Sequence, residues 1–156
     1  MITQLFRPSP QMKILLVGTH IDELSTTLNK FIKQHNGIMD ICLFSNTQTD
    51  KIEYKTFYPK DHDSFCSSTS RDYEYIIVYD MLHMHNSPTK FIKNLYRALE
   101  NSAEIIILQA HNLHEAKKTQ DLLEYCEFRA ANTIHQIYKN FDAVIAKKLH
   151  MWGNGL

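Results

Sequence analysis

Short, solidly apolar runs alternate with longer amphipathic stretches, and this rhythm constrains the fold more than any other feature of the chain. "KILLVG" (13–18), "IMDICLF" (38–44), "YEYIIVY" (73–79) and "AEIIILQ" (103–109) have strand length and little polar character, as strands covered on both faces require. Between the first two, Leu24, Leu28, Phe31 and Ile32 recur at helical spacing, with Asp22 as the N-cap and Gly37 as the residue after the C-cap. "EYKTFY" (53–58) reads as a weaker strand. Ser87 and Pro88 open a second helix that runs to about Glu100 and buries Phe91, Ile92, Leu95 and Leu99. Asn112 and Glu115 have capping-box spacing at the head of a third helix, which runs to about Tyr125. Such alternation predicts a parallel sheet with helices on both faces. The tail "RAANTIHQIYKNFDAVIAKKL" reads as two strands turning at Lys139-Asn140, too tight for a crossover and so antiparallel. The expected fold is α/β: a three-layer, Rossmann-like, mostly parallel seven-stranded sheet with an antiparallel last strand.

Length and composition narrow the function classes. With 156 residues the chain suits one core, read as an N-terminal extension over 1–12 and a single domain over 13–156. Seventeen basic and seventeen acidic residues cancel, so the charge footprint of a general nucleic-acid binder is missing. No apolar run approaches the roughly 20 residues that span a bilayer, so no membrane partner is expected. Cys42, Cys66 and Cys126 are odd in number and widely spaced, which suits reduced thiols in a cytoplasm better than a disulfide frame or a zinc ribbon. Trp152 lies in a small basic end, "AKKLHMWGNGL", where covering a sheet edge or a subunit contact is a more ordinary role than stacking on a base.

Residues 73–108 carry a more specific signal. "YEYIIVYDMLHMHNSP" is followed by "FIKNLYRALENSAEIIIL", with Leu82-His83, Pro88 and Arg97-Ala98-Leu99 in order. The chain resembles the class I S-adenosylmethionine-dependent methyltransferases here, in which a Leu-His pair, a proline, an Arg-x-Leu and a glycine turn stand in that sequence. "CEFRA" (126–130) is similar to the segment leading into the family's sixth strand. The resemblance implies an adenosyl cofactor over the carboxyl edge of the sheet. Gly18, Thr19 and His20 would then lie at its methionine end, Ser45 and Asn46 near its ribose, and Asp80 near the transferred methyl, either as a catalytic base or, the more ordinary role, as a structural residue that caps the loop before the next helix.

The family's acid and glycine-rich first turn is altered. Leu16 stands for the acid, Gly18 keeps the first glycine, and His20 and Asp22 replace the others; the second strand ends in Ser45-Asn46 instead of an acid. Asn101-Ser102 stands where the family has its glycine turn. A β-carbon forced into left-handed backbone costs ~1–2 kcal/mol. Losing a charged acceptor for a ribose hydroxyl costs a further ~1.5–3 kcal/mol. Together these amount to about a hundredfold in affinity.

The sequence therefore supports a methyltransferase-like protein with S-adenosylmethionine binding weakened or lost, acting as a non-catalytic interaction module or supporting subunit, with a protein partner or a second copy as its counterpart. The first alternative is a minimal S-adenosylmethionine-dependent methyltransferase with atypical cofactor contacts. The second is a metal or small-ligand site at the carboxyl edge, where His20, His83, His85 and His111 would converge near Asp80 and His114. A metal is the less expected of these, because solvated loop-tip histidines explain the same pattern. Asp61-His62-Asp63 reads as an acidic turn on a solvated loop.

Overall fold

The structure is a computed structural model that describes residues 2–44, 56–57, 73–85 and 87–149. Strands β1 (Lys13–Gly18), β2 (Ile38–Leu43), β3 (Thr56–Phe57), β4 (Tyr73–Tyr79), β5 (Leu99–Ala110), β6 (Arg129–Tyr138) and β7 (Phe141–Lys147) form one sheet in the order β3-β2-β1-β4-β5-β7-β6. Six strands are long and β3 is a two-residue edge. β1 to β5 pair in parallel, and β7 runs antiparallel between β5 and β6. The predicted α/β class, strand count and antiparallel end are all present.

The period-two alternation of each strand divides the core. Leu15, Val17, Ile76, Val78, Ile105 and Ile107 face a layer made by α2 (Pro88–Ala98) and α3 (Leu113–Tyr125). Ile14, Leu16, Tyr75, Ile77, Ile106 and Leu108 face α1 (Glu23–Gln34) on the other side. Leu24, Leu28 and Ile32 of α1 are fully buried, each contributing about 1.5–3 kcal/mol of apolar burial. The predicted extension also joins this layer: Ile2, Phe6 and Met12 are buried, and Phe6 meets Tyr75 edge-on at 5.0 Å. Cys42 and Cys126 are buried, while Cys66 lies outside the described residues. Among the described residues, no helix is long and apolar enough to cross a membrane.

Element ends differ from the sequence reading in instructive ways. α1 ends in a Schellman motif, with Asn36, not Gly37, in the left-handed position at φ 56. The Asn36 N–H donates to Lys33 O at 3.0 Å and the Gly37 N–H to Ile32 O at 2.9 Å. Gly37 is needed for close approach instead, because a β-carbon there would stand 2.6 Å from the Met12 carbonyl. Ser87 occupies the N-cap of α2, but its hydroxyl makes no capping bond. α2 stops at Ala98, and Leu99 is buried as the first residue of β5, not the last turn of a helix. At that end the buried Lys148 ammonium donates to the carbonyls of Tyr96 (2.9 Å) and Leu99 (2.8 Å), a cation at a helix C-terminus. Asn101-Ser102 is a bulge within β5. Tyr73 pairs with Leu99 and Tyr75 with Glu104, and Ser102 takes φ 69.

Candidate functional site

The parallel arrangement brings the C-terminal ends of β1, β4 and β5 to one edge of the sheet, where open α/β folds bind ligands. Two polar clusters lie there, each centred on one carboxylate.

The first cluster follows β1. Asp22 caps α1: its Oδ1 accepts from the Leu24 N–H at 2.9 Å, and the Ser25 hydroxyl accepts from the Asp22 N–H at 3.3 Å. Its Oδ2 accepts from the Tyr79 hydroxyl at 3.0 Å and lies 3.1 Å from His20 Nε2. The other imidazole nitrogen of His20 is 3.1 Å from the Thr19 hydroxyl. Burial, and then the neighbouring Asp22 carboxylate, hold the Tyr79 phenol well above its ordinary pKa. Leu16, at the position of the family's acid, is buried in the apolar core.

The cost expected from left-handed geometry does not arise. Thr19 and His20 are absent from the residues with positive φ, and Asp22 is extended at φ −141. A β-carbon on Gly18 would meet nothing closer than 3.8 Å. The turn has been rebuilt on ordinary backbone, so what changes the site is the side chains standing in it. His20 is 57% exposed, its ring held between Thr19 and Asp22.

The second cluster lies where β5, α3, β6 and β7 meet. The side chain of Asp142, at the start of β7, is fully buried. Its Oδ1 accepts from the Gln136 N–H at 2.9 Å and pairs with His111 Nδ1 at 2.8 Å; its Oδ2 accepts from the Asn112 N–H at 3.2 Å and lies 3.2 Å from His135 Nδ1. Burial alone would raise the pKa of this carboxyl. The bonds from His111, the Gln136 amide, His135 and the Asn112 amide outweigh that and hold it below the usual carboxylate range. Asn112 does cap α3, its Oδ1 accepting from the Glu115 N–H at 3.0 Å. The reciprocal half of the capping box is supplied by Asp142 across the fold, not by Glu115.

Beside the second cluster a cleft of about 790 Å³ opens along Asp80, His83, His111, Asn112, Lys118 and Leu122. Asp80 turns the chain out of β4 in a left-handed conformation, φ 50, which aspartate tolerates, and its N–H donates to Leu108 O at 2.8 Å.

The four histidines named as metal ligands do not form one group. His20 binds Asp22, and His83 is exposed on a 3-10 turn beside the cleft. His85 is buried, stacked on Phe91 at 3.8 Å and edge-on to Phe44 at 5.5 Å, which makes it a core residue. His111 alone of the four joins a ligand-type cluster, with His135 and Asp142. Ser45, Asn46, Asp61-His62-Asp63 and Trp152 lie outside the described residues.

Asp142, His135 and Tyr79 were missed by sequence reasoning. A regular hairpin about Lys139-Asn140 would set Ile137 opposite Asp142. In the fold, Ile134 pairs with Ala143 and Tyr138 with Phe141, so β6 has three residues, 135–137, where β7 has only Asp142. Gln136 sits in this bulge at φ 53 and turns its amide to Asp142.

No sequence-family profile matches the chain, and no curated protein matches it in sequence. Solved structures do match in fold. A SAM-dependent methyltransferase from Aquifex aeolicus superposes with TM-score 0.73 at 16% identity, over 95% of this chain and 88% of that one. The CurJ carbon methyltransferase gives 0.71 at 12% identity over 95% of this chain, which spans only about half (51%) of it. The complex between the Trm112 methyltransferase activator of Haloferax volcanii and a chain assigned as a methyltransferase gives 0.68 at 7% identity, over 92% and 86% of the two chains. At such identities the likeness is one of fold, and the chain has the fold of the class I S-adenosylmethionine-dependent methyltransferases.

Proposed function

We propose that this chain is a methyltransferase-fold protein whose cofactor turn is closed by its own side chains, and that it acts as a non-catalytic interaction module or supporting subunit. The observation that carries this reading is the Asp22 cluster. A helix N-terminus after β1 offers free N–H donors and a positive dipole end to an anionic ligand group. Here Asp22 already accepts the Leu24 N–H and is fixed by Tyr79 and His20. A cofactor carboxylate arriving at this turn would meet a like charge and a donor already engaged. The Haloferax protein, solved in complex with an activator, lends support to a protein partner for a chain of this fold.

A second reading is a minimal methyltransferase, with Gly18, Thr19 and His20 at the methionine end, Ser45 and Asn46 near the ribose, and Asp80 near the methyl. The cleft of about 790 Å³ beside Asp80 favours it, as do fold neighbours that are methyltransferases.

Thermal unfolding with S-adenosylmethionine or S-adenosylhomocysteine at about 1 mM separates the two. A dissociation constant near 10 µM would stabilise the chain by roughly 2.7 kcal/mol, a shift of several degrees at this size. The expected result is no shift with either compound. A shift of that size, with a one-to-one calorimetric titration, would overturn the non-catalytic reading.

A further inference from the structure

We propose that His111, His135 and Asp142 form a binding site for a divalent first-row cation of the zinc type. This inference is independent of the cofactor turn and does not need the chain to bind S-adenosylmethionine.

The three side chains reach the same point from three elements. His111 follows β5, His135 lies in β6 just before the bulge, and Asp142 opens β7. One ligand atom from each can be chosen so that all three lie within 4.8 Å of one another. The two imidazoles are nearly perpendicular, at 82° with centroids 5.5 Å apart, and both direct Nδ1 at the one carboxylate. Ligands about 2.0–2.2 Å from a tetrahedral ion stand about 3.3–3.6 Å apart. The separations of 2.8 Å from His111 to Oδ1 and 3.2 Å from His135 to Oδ2 are of that order, and because they run to different oxygens an ion would take the carboxylate through both or draw one imidazole toward the other's oxygen.

The protonation chemistry is compatible as well. With a proton on each Nδ1, the rings donate to Asp142. With the proton on Nε2, each Nδ1 lone pair is free for a cation, and the change is a tautomer shift that requires no net charge on the ring. Side-chain exposures of 33% for His111 and 42% for His135 leave room for water at the outward nitrogens.

The carboxylate is held independently of the imidazoles. The Asn112 N–H at the α3 N-cap and the Gln136 N–H in the β6 bulge each fix one of its oxygens, as outer partners orient a metal ligand. Two imidazoles in a set of three favour zinc, cobalt or nickel over magnesium or calcium, which prefer oxygen. Three protein ligands at a partly exposed position also leave a coordination place for water or a ligand in the adjoining cleft, which His111 and Asn112 line.

The test uses the full chain, purified without a histidine tag and stripped with chelator, then titrated with Co²⁺ and back-titrated with Zn²⁺. The expected result is one saturable Co²⁺ site per chain with visible ligand-field bands, displaced by Zn²⁺. Both His111→Ala and His135→Ala should weaken binding about tenfold or more, with far-UV circular dichroism unchanged. His135→Ala is the safer variant because its ring is the more exposed of the two. Unchanged affinity in His135→Ala, a thiolate charge-transfer band showing that cysteine holds the ion, or no saturable binding at about 1 mM Co²⁺ would each overturn the proposal.

Discussion

Asp22 and Asp142 do nearly the same thing at two places along one sheet edge, and the contrast between them shows how context sets the weight of a motif. Each carboxylate accepts a backbone N–H at the head of a helix, and each pairs with imidazole. Asp22 caps its own helix, and most of its partners lie within three residues; only Tyr79 comes from another element. Its side chain is 28% exposed, so water screens it. Asp142 is fully buried and joins segments about 30 residues apart, so water reaches its carboxylate less readily than that of Asp22. The first cluster alters what the turn can accept, whereas the second fastens the C-terminal hairpin to α3.

The sharpest attempt to break this contrast is Asp142→Ala. Two amides, of Asn112 and Gln136, would lose a charged acceptor, each such bond worth about 1.5–3 kcal/mol. Urea unfolding followed by circular dichroism should show a loss of about 3 kcal/mol at neutral pH. The pH dependence gives the sign independently. The folded pKa of Asp142 lies below its unfolded value, so its stabilisation is present above the unfolded value, about 3.9, and fades as pH falls through the folded one. The gap between wild type and variant should therefore narrow below about pH 4. A gap that stays constant in acid would remove the charge from the explanation.

Tyr79→Phe probes the other cluster and should cost less, about 0.5–1.5 kcal/mol, because Asp22 keeps its backbone partner and its access to water. If it cost as much as Asp142→Ala, the distinction between the two carboxylates would fail. Gly18→Ala should have the smallest effect, within about 0.5 kcal/mol in the same unfolding measurement, since a β-carbon there finds only ordinary contacts. A loss of several kcal/mol would mean that this turn still depends on bare backbone.

The layered fold was legible because its determinants are local. Runs such as 13–18 and 73–79 match their strands residue for residue, since an apolar run covered on both faces has few other solutions. The Asp22 cap was legible for the same reason: capping is decided within one turn. The Ser87 cap shows the limit, as the right residue at the right place makes no capping bond. The candidate site was legible only in part. His111 was visible as a residue type, but His135 and Asp142 meet it through a bulge that shifts the hairpin register by two. His85 looked like its exposed neighbours in sequence and is instead packed between aromatic rings.

By itself the sequence determined the order of elements and the parallel core with its antiparallel end, while the altered first turn stands out only against the family that the chain resembles. Order and core follow from periodicity and residue type, which act over a few residues. Only the tertiary structure decided that the replaced turn carries no backbone strain, that Tyr79 closes over Asp22, and that a buried carboxylate gathers two imidazoles and two amides. Those outcomes depend on which distant groups share a low-dielectric space, and a linear pattern does not encode that adjacency until the sheet has assembled.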